Sequence, residues 1–375
     1  MIIGFDAKRA FLNSTGLGNY SRWLIKSVAQ YHPQNQLSLY TPRIRQNRYK
    51  DEFSRFKNIS IVTPGHLYLS SWWRSMGVVK NLKRDNIELY HGLSHELPFG
   101  LRESDIKGVL TVHDLIFMRY PQYFKWADRV IYRAKLRYAC RTATRIIAIS
   151  QKTKQDLIEL FGVKPSKIDV VYQGCDQIFS LYHSDDYRAQ VRKKYNLPKR
   201  YLLTVGTIEE RKNLMLILKA LEHTKDSMRL VVVGKPTDYM QQVKEYIEAN
   251  HLSARVTFLH QVSFEELPVL YQLATVFVYP SRYEGFGIPI IEALNSGVPV
   301  VAATGSCLEE AGGPDSLYAN PNDEQELARK INRIWNSPSV RQHMITQGFD
   351  YAKNFDHEKL AGQLIEVYKK TLNDA

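Results

Sequence analysis

Short apolar runs alternate with stretches of helical periodicity from one end of the chain to the other. In the first half the runs are Ile2 to Phe5, Leu37 to Tyr40, Ile59 to Val62, Leu89-Tyr90, Gly108 to Val112, Ile146 to Ile149 and Asp169 to Val171. In the second they are Tyr201 to Val205, Leu230 to Val233, Val256 to Leu259, Val276 to Tyr279 and Val298 to Ala302. Runs rich in β-branched residues with helices between them predict parallel α/β domains, two of them at this length. The expected boundaries are 1–180 and 181–355, with a closing helix at 356–375 packed back on the first domain. Residues 177 to 200 are polar and basic and read as a connector. Parallel sheets bind ligands beyond the carboxyl ends of their strands, so two such domains imply a cleft between them.

One stretch concentrates the candidate chemistry: YEGFGIPIIEALNSGVPVV, residues 283 to 301. A strand ends at Pro280-Ser281, and a helix is expected from about Ile288. Pro289 suits its first turn, where the missing N–H has no intrahelical partner, and Gly297 suits its far end. Gly285 and Gly287 permit positive φ and a close backbone approach to a ligand. Such a loop aims N–H groups and the positive end of a helix at one point, which favours an anion. Glu284 and Glu292 flank that point. The alternative is a plain crossover whose glycines serve packing.

Composition narrows the classes. The chain has 375 residues, 44% of them hydrophobic, and no run approaching the roughly 20 apolar residues of a membrane span. The N-terminal MIIGFDAKRAF reads as a strand followed by charges, unlike a signal peptide, so a cytoplasmic protein is expected, at most peripheral at the inner face of a membrane. Cys140, Cys175 and Cys307 are scattered without a C-x-x-C and read as buried thiols. The net charge of +13 is unevenly spread. Residues 1–180 hold 28 Lys and Arg against 14 Asp and Glu, and the remainder 23 against 24.

Several motifs fall at or after the expected strands: Gly16-Leu-Gly18-Asn-Tyr20; Thr111-Val-His113-Asp114-Leu115; Arg145 to Ser150 with Thr153, Asp156 and Leu157; Gly206 with Arg211-Lys212-Asn213; Glu284 and Glu292 in E-x7-E spacing; and Ser316 to Asp323. In this order, over most of the chain, they resemble the retaining GT-B glycosyltransferases of family four. The resemblance implies a GT-B fold, two Rossmann-like domains facing across a cleft, and transfer of a sugar from a nucleotide-diphosphate donor. It places Gly16, Gly18, Gly206, Arg211, Lys212, Gly285, Phe286, Gly287 and Glu292 around the donor. Glu292 would meet the ribose, Glu284 and His113 the transferred sugar, and Arg211 with Lys212 the diphosphate. Many members carry arginine directly after the glycine matched by Gly206; Thr207 stands there in this chain, which puts Lys212 ahead of Arg211 as the diphosphate ligand. The bland alternatives are a solvated turn for Arg211-Lys212 and a strand-end histidine satisfied by Asp114 for His113.

The expected donor is a GDP- or UDP-sugar, with mannose favoured because the Arg-Lys-Asn form of the loop looks like that of bacterial polysaccharide mannosyltransferases. No cofactor and no metal are expected: the chain has no Asp-x-Asp, and the basic pair supplies the same electrostatic work. The expected acceptor is a glycan or polyprenyl-diphosphate-linked sugar. From Lys125, residues Arg129, Arg133, Arg137 and Arg141 recur every fourth position, and Trp72-Trp73-Arg74 and Arg43 to Lys50 add basic and aromatic residues. That character fits an anionic membrane surface or an ordinary solvated face, with nucleic acid not expected. Two other readings compete. A dinucleotide enzyme fails because Gly16 lies too far beyond the first strand and no acid follows the second. A non-catalytic sugar-nucleotide-binding protein is opposed by the retained Lys212, Glu284 and Glu292.

Overall fold

A computed structural model describes residues 1–44, 47–65 and 72–374. The chain forms two compact units, Met1–Gly174 with Asp356–Ala375, and Cys175–Phe355.

The first unit is built on a seven-stranded parallel sheet of β1 (Ile2–Asp6), β2 (Gln36–Tyr40), β3 (Ile59–Val62), β4 (Leu89–Gly92), β5 (Lys107–Val112), β6 (Arg145–Ala148) and β7 (Ile168–Val170), in the order β3-β2-β1-β4-β5-β6-β7. Its central strands are buried along nearly their whole length, β4 throughout and β5 from Gly108 on, as strands covered by helices on both faces require. The order reverses between β1 and β4, so their carboxyl ends, Asp6 and Gly92, border the switch point. Helix His357–Asn373 belongs to this unit. Its fully buried Tyr368 hydroxyl lies 2.8 Å from Nδ1 of His91 on β4.

The second unit repeats the plan with six parallel strands: β8 (Leu202–Val205), β9 (Leu230–Val233), β10 (Val256–Leu259), β11 (Val276–Tyr279), β12 (Val300–Ala303) and β13 (Leu317–Ala319), in the order β10-β9-β8-β11-β12-β13. Every strand expected from the apolar pattern is present, with ends shifted by a residue or two. The segment 177–200 departs from the expected connector: it contains helix Asp185–Lys194. Ser184 caps that helix by accepting from the Tyr187 N–H. Asp185 and Asp186 then sit in its first turn and Arg192 to Lys194 in its last, each complementing the helix dipole.

Gly234, directly after β9, meets the turn after β8 so closely that a Cβ there would lie 1.8 Å from the Gly206 carbonyl oxygen. Backbone on backbone cannot give way as a flexible side chain can. Gly234→Ala should therefore destabilise the second unit by about 1–3 kcal/mol, as an overpacked site does, read as a lower urea midpoint at unchanged slope. A wild-type midpoint would show that the turn yields freely.

Candidate functional site

Glu284 sits in the turn between β11 and helix Ile288–Asn295, and its carboxylate is 12% exposed. Lys212 Nζ donates to Oε1 at 2.6 Å, Ser281 Oγ to the same oxygen at 2.6 Å, and the Tyr279 hydroxyl at 3.1 Å. Arg211 pairs with the other oxygen at 2.8 Å. Burial alone would raise this carboxyl, but the charges of Lys212 and Arg211 outweigh it and hold the group down at about 2. Arg211 also donates to the Tyr283 carbonyl and to Glu209, both at 2.5 Å, and its neighbours push its guanidinium well above the ordinary value against the pull of burial. The pair is thus no solvated turn: the two side chains are 15% and 19% exposed and converge on one carboxylate.

Gly206 takes φ +147°, and the Lys212 stem crosses over it, with Cε 3.6 Å from where a Cβ would stand. A left-handed turn brings the chain round to the next helix at Asn213, with φ +61°, a conformation asparagine tolerates. On the other side, Gly287 has φ +130° and precedes a helix that no side chain caps, with Pro289 in its first turn. Of the two loop glycines, Gly287 is the one with positive φ; Gly285 does not share it. Phe286 is buried edge-on against Phe355. Together these residues set two cations and a helix N-terminus close to the carboxyl end of β11, an arrangement able to receive a doubly charged anion.

Glu292 lies one turn into that helix and is not part of the cation cluster. The Tyr271 hydroxyl donates to it at 2.9 Å. Burial pushes its carboxyl up to about 7, opposed by that hydrogen bond and reinforced by Asp176. The carboxyl is therefore partly protonated near neutral pH.

The remaining expected residues belong to the first unit. Gly16 opens helix Gly16–Tyr31, and a Cβ on it would meet nothing within 4 Å, whereas Gly18 packs onto the Asn13 carbonyl, which a Cβ would approach to 1.8 Å. Gly18 thus serves packing, and Gly16 has open space beside it. His113, at the end of β5, is buried, with Nε2 2.8 Å from the Leu93 carbonyl. A carbonyl can only accept, so Nε2 carries the proton. Burial, helped by His95, lowers the ring to about 3 and keeps it neutral. At the switch point Asp6 accepts from Nε and Nη2 of the Arg74 guanidinium, which also pairs with Glu96.

Three residues hold the site through contacts that the sequence did not indicate. Asn213 Nδ2 donates to the Pro280 and Pro321 carbonyls, at 3.1 and 2.9 Å, tying the basic turn to two other loops. The Cys307 thiol donates to the Glu284 and Phe286 carbonyls at 3.1 and 3.0 Å, fixing the glutamate loop. Tyr279 accepts from Lys212 at 2.5 Å. Only Asn213 left a signal, as a polar residue between a basic pair and an apolar helix.

Comparison with known proteins agrees with this architecture. Residues 22–177 match the model of Glycosyltransferase Family 4 and residues 187–351 that of Glycosyl transferases group 1. The chain is 28% identical to O-antigen chain mannosyltransferase B of Escherichia coli over 95% of its own length and 96% of that protein. It is 31% identical to O-antigen chain mannosyltransferase RfbU of Salmonella typhimurium over 78% and 76%. Among solved structures, sucrose-phosphate synthase of Thermosynechococcus elongatus superposes with a TM-score of 0.79 at 21% identity, covering both chains fully. HepE of Anabaena, solved with UDP and glucose, superposes with 0.75 at 19% identity over 98% of this chain and 99% of that one. With a family model on each half, a relative along most of its length and the GT-B fold in its structural neighbours, the chain belongs to the glycosyltransferases of family four.

Proposed function

We propose that this glycosyltransferase moves a hexose, mannose in the favoured case, from a nucleoside diphosphate donor to a glycan or lipid-linked acceptor of a bacterial surface polysaccharide. On this reading the anomeric configuration is retained and neither cofactor nor divalent ion is required. One observation carries it: Arg211 and Lys212 converge, nearly buried, on a single carboxylate beside an uncapped helix N-terminus. As the bond from the anomeric carbon to the phosphate breaks, negative charge grows on the departing oxygen, and fixed cations there lower the barrier. The acceptor oxygen bonds to the same face of that carbon, and its proton passes to the departing phosphate. His113, neutral with Nε2 bound to the Leu93 carbonyl, offers Nδ1 as an acceptor for a sugar hydroxyl and supplies no proton. Mannose and a surface-polysaccharide acceptor are supported by the O-antigen mannosyltransferases that match along the chain. The UDP-bound neighbour keeps UDP-sugars in the test.

The reading is tested by incubating the protein with GDP-mannose, UDP-glucose and UDP-galactose in the presence of EDTA and an O-antigen-type acceptor, and assigning the product linkage by NMR. Transfer from GDP-mannose with an α-linked product is expected. Activity that returns only with magnesium or manganese, or a β-linked product, overturns the metal-free or the retaining part.

Glu284 must yield its two cations when a diphosphate arrives. Glu284→Ala is therefore expected to melt at a lower temperature without ligand, because two buried cations lose their counter-charge. It should show a larger thermal shift with nucleoside diphosphate than the wild type, while transfer falls at least tenfold, on the scale of one lost transition-state contact. An unchanged shift would mean that the diphosphate does not use these cations.

Glu292, if it accepts from a ribose hydroxyl, binds donor better when ionised. Its carboxyl titrates near 7 in the free protein, so donor affinity should fall as pH drops from 8 to 6. The intact donor is the right probe, because its diphosphate has no ionisation in that window. Glu292→Gln should flatten the profile in calorimetry; a profile as steep as the wild type would assign the titration elsewhere.

A further inference from the structure

The turn after β4 carries a backbone outlier. His95 takes φ +62°, a left-handed conformation that few side chains enter. Such a residue persists only where its surroundings hold it, and residues of this kind cluster at ligand sites. The bonds that hold His95 are explicit: its N–H donates to the Thr111 carbonyl at 3.1 Å, and its ring Nε2 accepts from the His113 N–H at 2.7 Å. The left-handed turn thereby sets the His95 ring beside the His113 ring, centroids 5.5 Å apart and planes tilted by 57°. Tyr20 packs edge-on against His113 at 4.6 Å.

These partners determine both tautomers. A backbone N–H only donates, so Nε2 of His95 is bare and the proton of the neutral ring stands on Nδ1. A backbone carbonyl only accepts, so His113 is the reverse, protonated on Nε2 and bare at Nδ1. Burial, opposed by Glu96 and aided by Arg9, lowers the His95 ring to about 4 and keeps it neutral. Neither Nδ1 has a hydrogen-bond partner among the described residues, and neither is sealed from solvent. The two rings therefore present one donor and one acceptor side by side. A polyol answers that pair, since one of its hydroxyls can accept while another donates.

We propose that His95 is a second sugar-contacting residue, its Nδ1–H donating to one hydroxyl of the transferred hexose while His113 Nδ1 accepts from another. This assignment rests on the proposed transfer reaction, in which His113 meets that hexose. It adds selectivity: both tautomers are fixed from the backbone, so the rings cannot exchange roles, and a sugar lacking either hydroxyl leaves a desolvated nitrogen unpaired. Two neighbouring histidines could instead hold a divalent ion. Both Nε2 atoms are already bound to backbone, however, and no third histidine, cysteine or carboxylate completes a metal-holding group with them among the described residues.

Two isosteres separate the sugar contact from the bond that holds His113. Asparagine keeps an amide donor near the Nδ1 position and tolerates the left-handed turn, whereas glutamine keeps an acceptor near Nε2 for the His113 N–H and has nothing at Nδ1. Transfer is measured first with GDP-mannose, UDP-glucose and UDP-galactose, then in the variants with the best of these donors and its singly deoxygenated hexose analogues. His95→Gln should lower transfer about tenfold, the scale of one hydrogen bond, and His95→Asn should recover most of that loss. The thermal shift of His95→Gln with the nucleoside diphosphate alone, which carries no hexose, should match the wild type. One deoxygenated donor should be transferred about tenfold more slowly than the parent by the wild type and at the parent's rate by His95→Gln, as a shared contact requires. Unimpaired transfer by His95→Gln assigns the ring to holding His113 and overturns the proposal, and so does loss in the variants with no deoxygenated donor showing that coupling. A wild type that transfers from none of the three donors overturns the transfer reading itself, and the sugar contact falls with it.

Discussion

The second unit turns on one carboxylate. Arg211 and Lys212 are nearly withdrawn from water, and cations so placed need a counter-charge at hydrogen-bonding distance. Glu284 supplies it from a loop 72 residues away, so the ion cluster bridges the turn after β8 and the turn after β11. The surrounding bonds hold the two turns together whether or not the carboxylate stays: the Arg282 N–H and the Ser281 hydroxyl reach the Arg211 carbonyl, and Asn213 reaches Pro280. Such a clasp can release a carboxylate and accept another anion without losing its shape. On the proposed function that exchange is what donor binding does, and only a ligand bringing comparable negative charge compensates the cations left behind.

Two glutamates eight positions apart are driven to opposite ends of the carboxylate range. Glu284 stands near 2 because two cations outweigh its burial, and Glu292 near 7 because one neutral hydroxyl does not. Paired carboxylates with separated pKa values usually divide roles, here between a group that is always charged and one whose charge a ligand can induce. The arrangement does not suit glycoside hydrolysis: neither group carries both the proton and the exposure of a general acid while Glu284 is committed to its cations.

The sequence was legible where a local rule governs the outcome. Apolar runs became strands, and Pro289 and Gly297 marked the ends of their helix, because each depends only on neighbours along the chain. E-x7-E spacing likewise located both carboxylates. What each carboxylate touches was not legible, since the partner of Glu284 comes from another loop and the pKa of Glu292 from the burial that packing imposes. The contact between Gly206 and Gly234 was hidden for the same reason: a glycine says that a close approach is allowed, not what approaches. Helix Asp185–Lys194 is a different failure. Its cap and its end charges were in plain view, but Val191 is its one buried residue, too few for an apolar stripe to register.

A sum of charge over sequence does not say where the charge stands. Several arginines of the first unit are held in ion pairs, each with two carboxylates, so the pairs consume acids faster than bases and leave the excess to the other basic residues. Arg74 is committed to Asp6 and Glu96, Arg145 to Asp169 and Asp374, and Arg119 to Asp156 and Glu159. Arg129 folds back onto a carbonyl. Arg45, in the basic run from Arg43 to Lys50, lies outside the described residues. Part of the exposed charge, Arg133, Arg137 and Arg141, stands along helix Trp126–Thr142, whose outer side also carries unburied Val130 and Ile131. Charge alone would mark that face as solvated, and apolar exposure alone as an incidental patch. Their coincidence on one helix, at helical spacing and opposite the buried side, is a constraint that neither solvent nor the unit's own core explains.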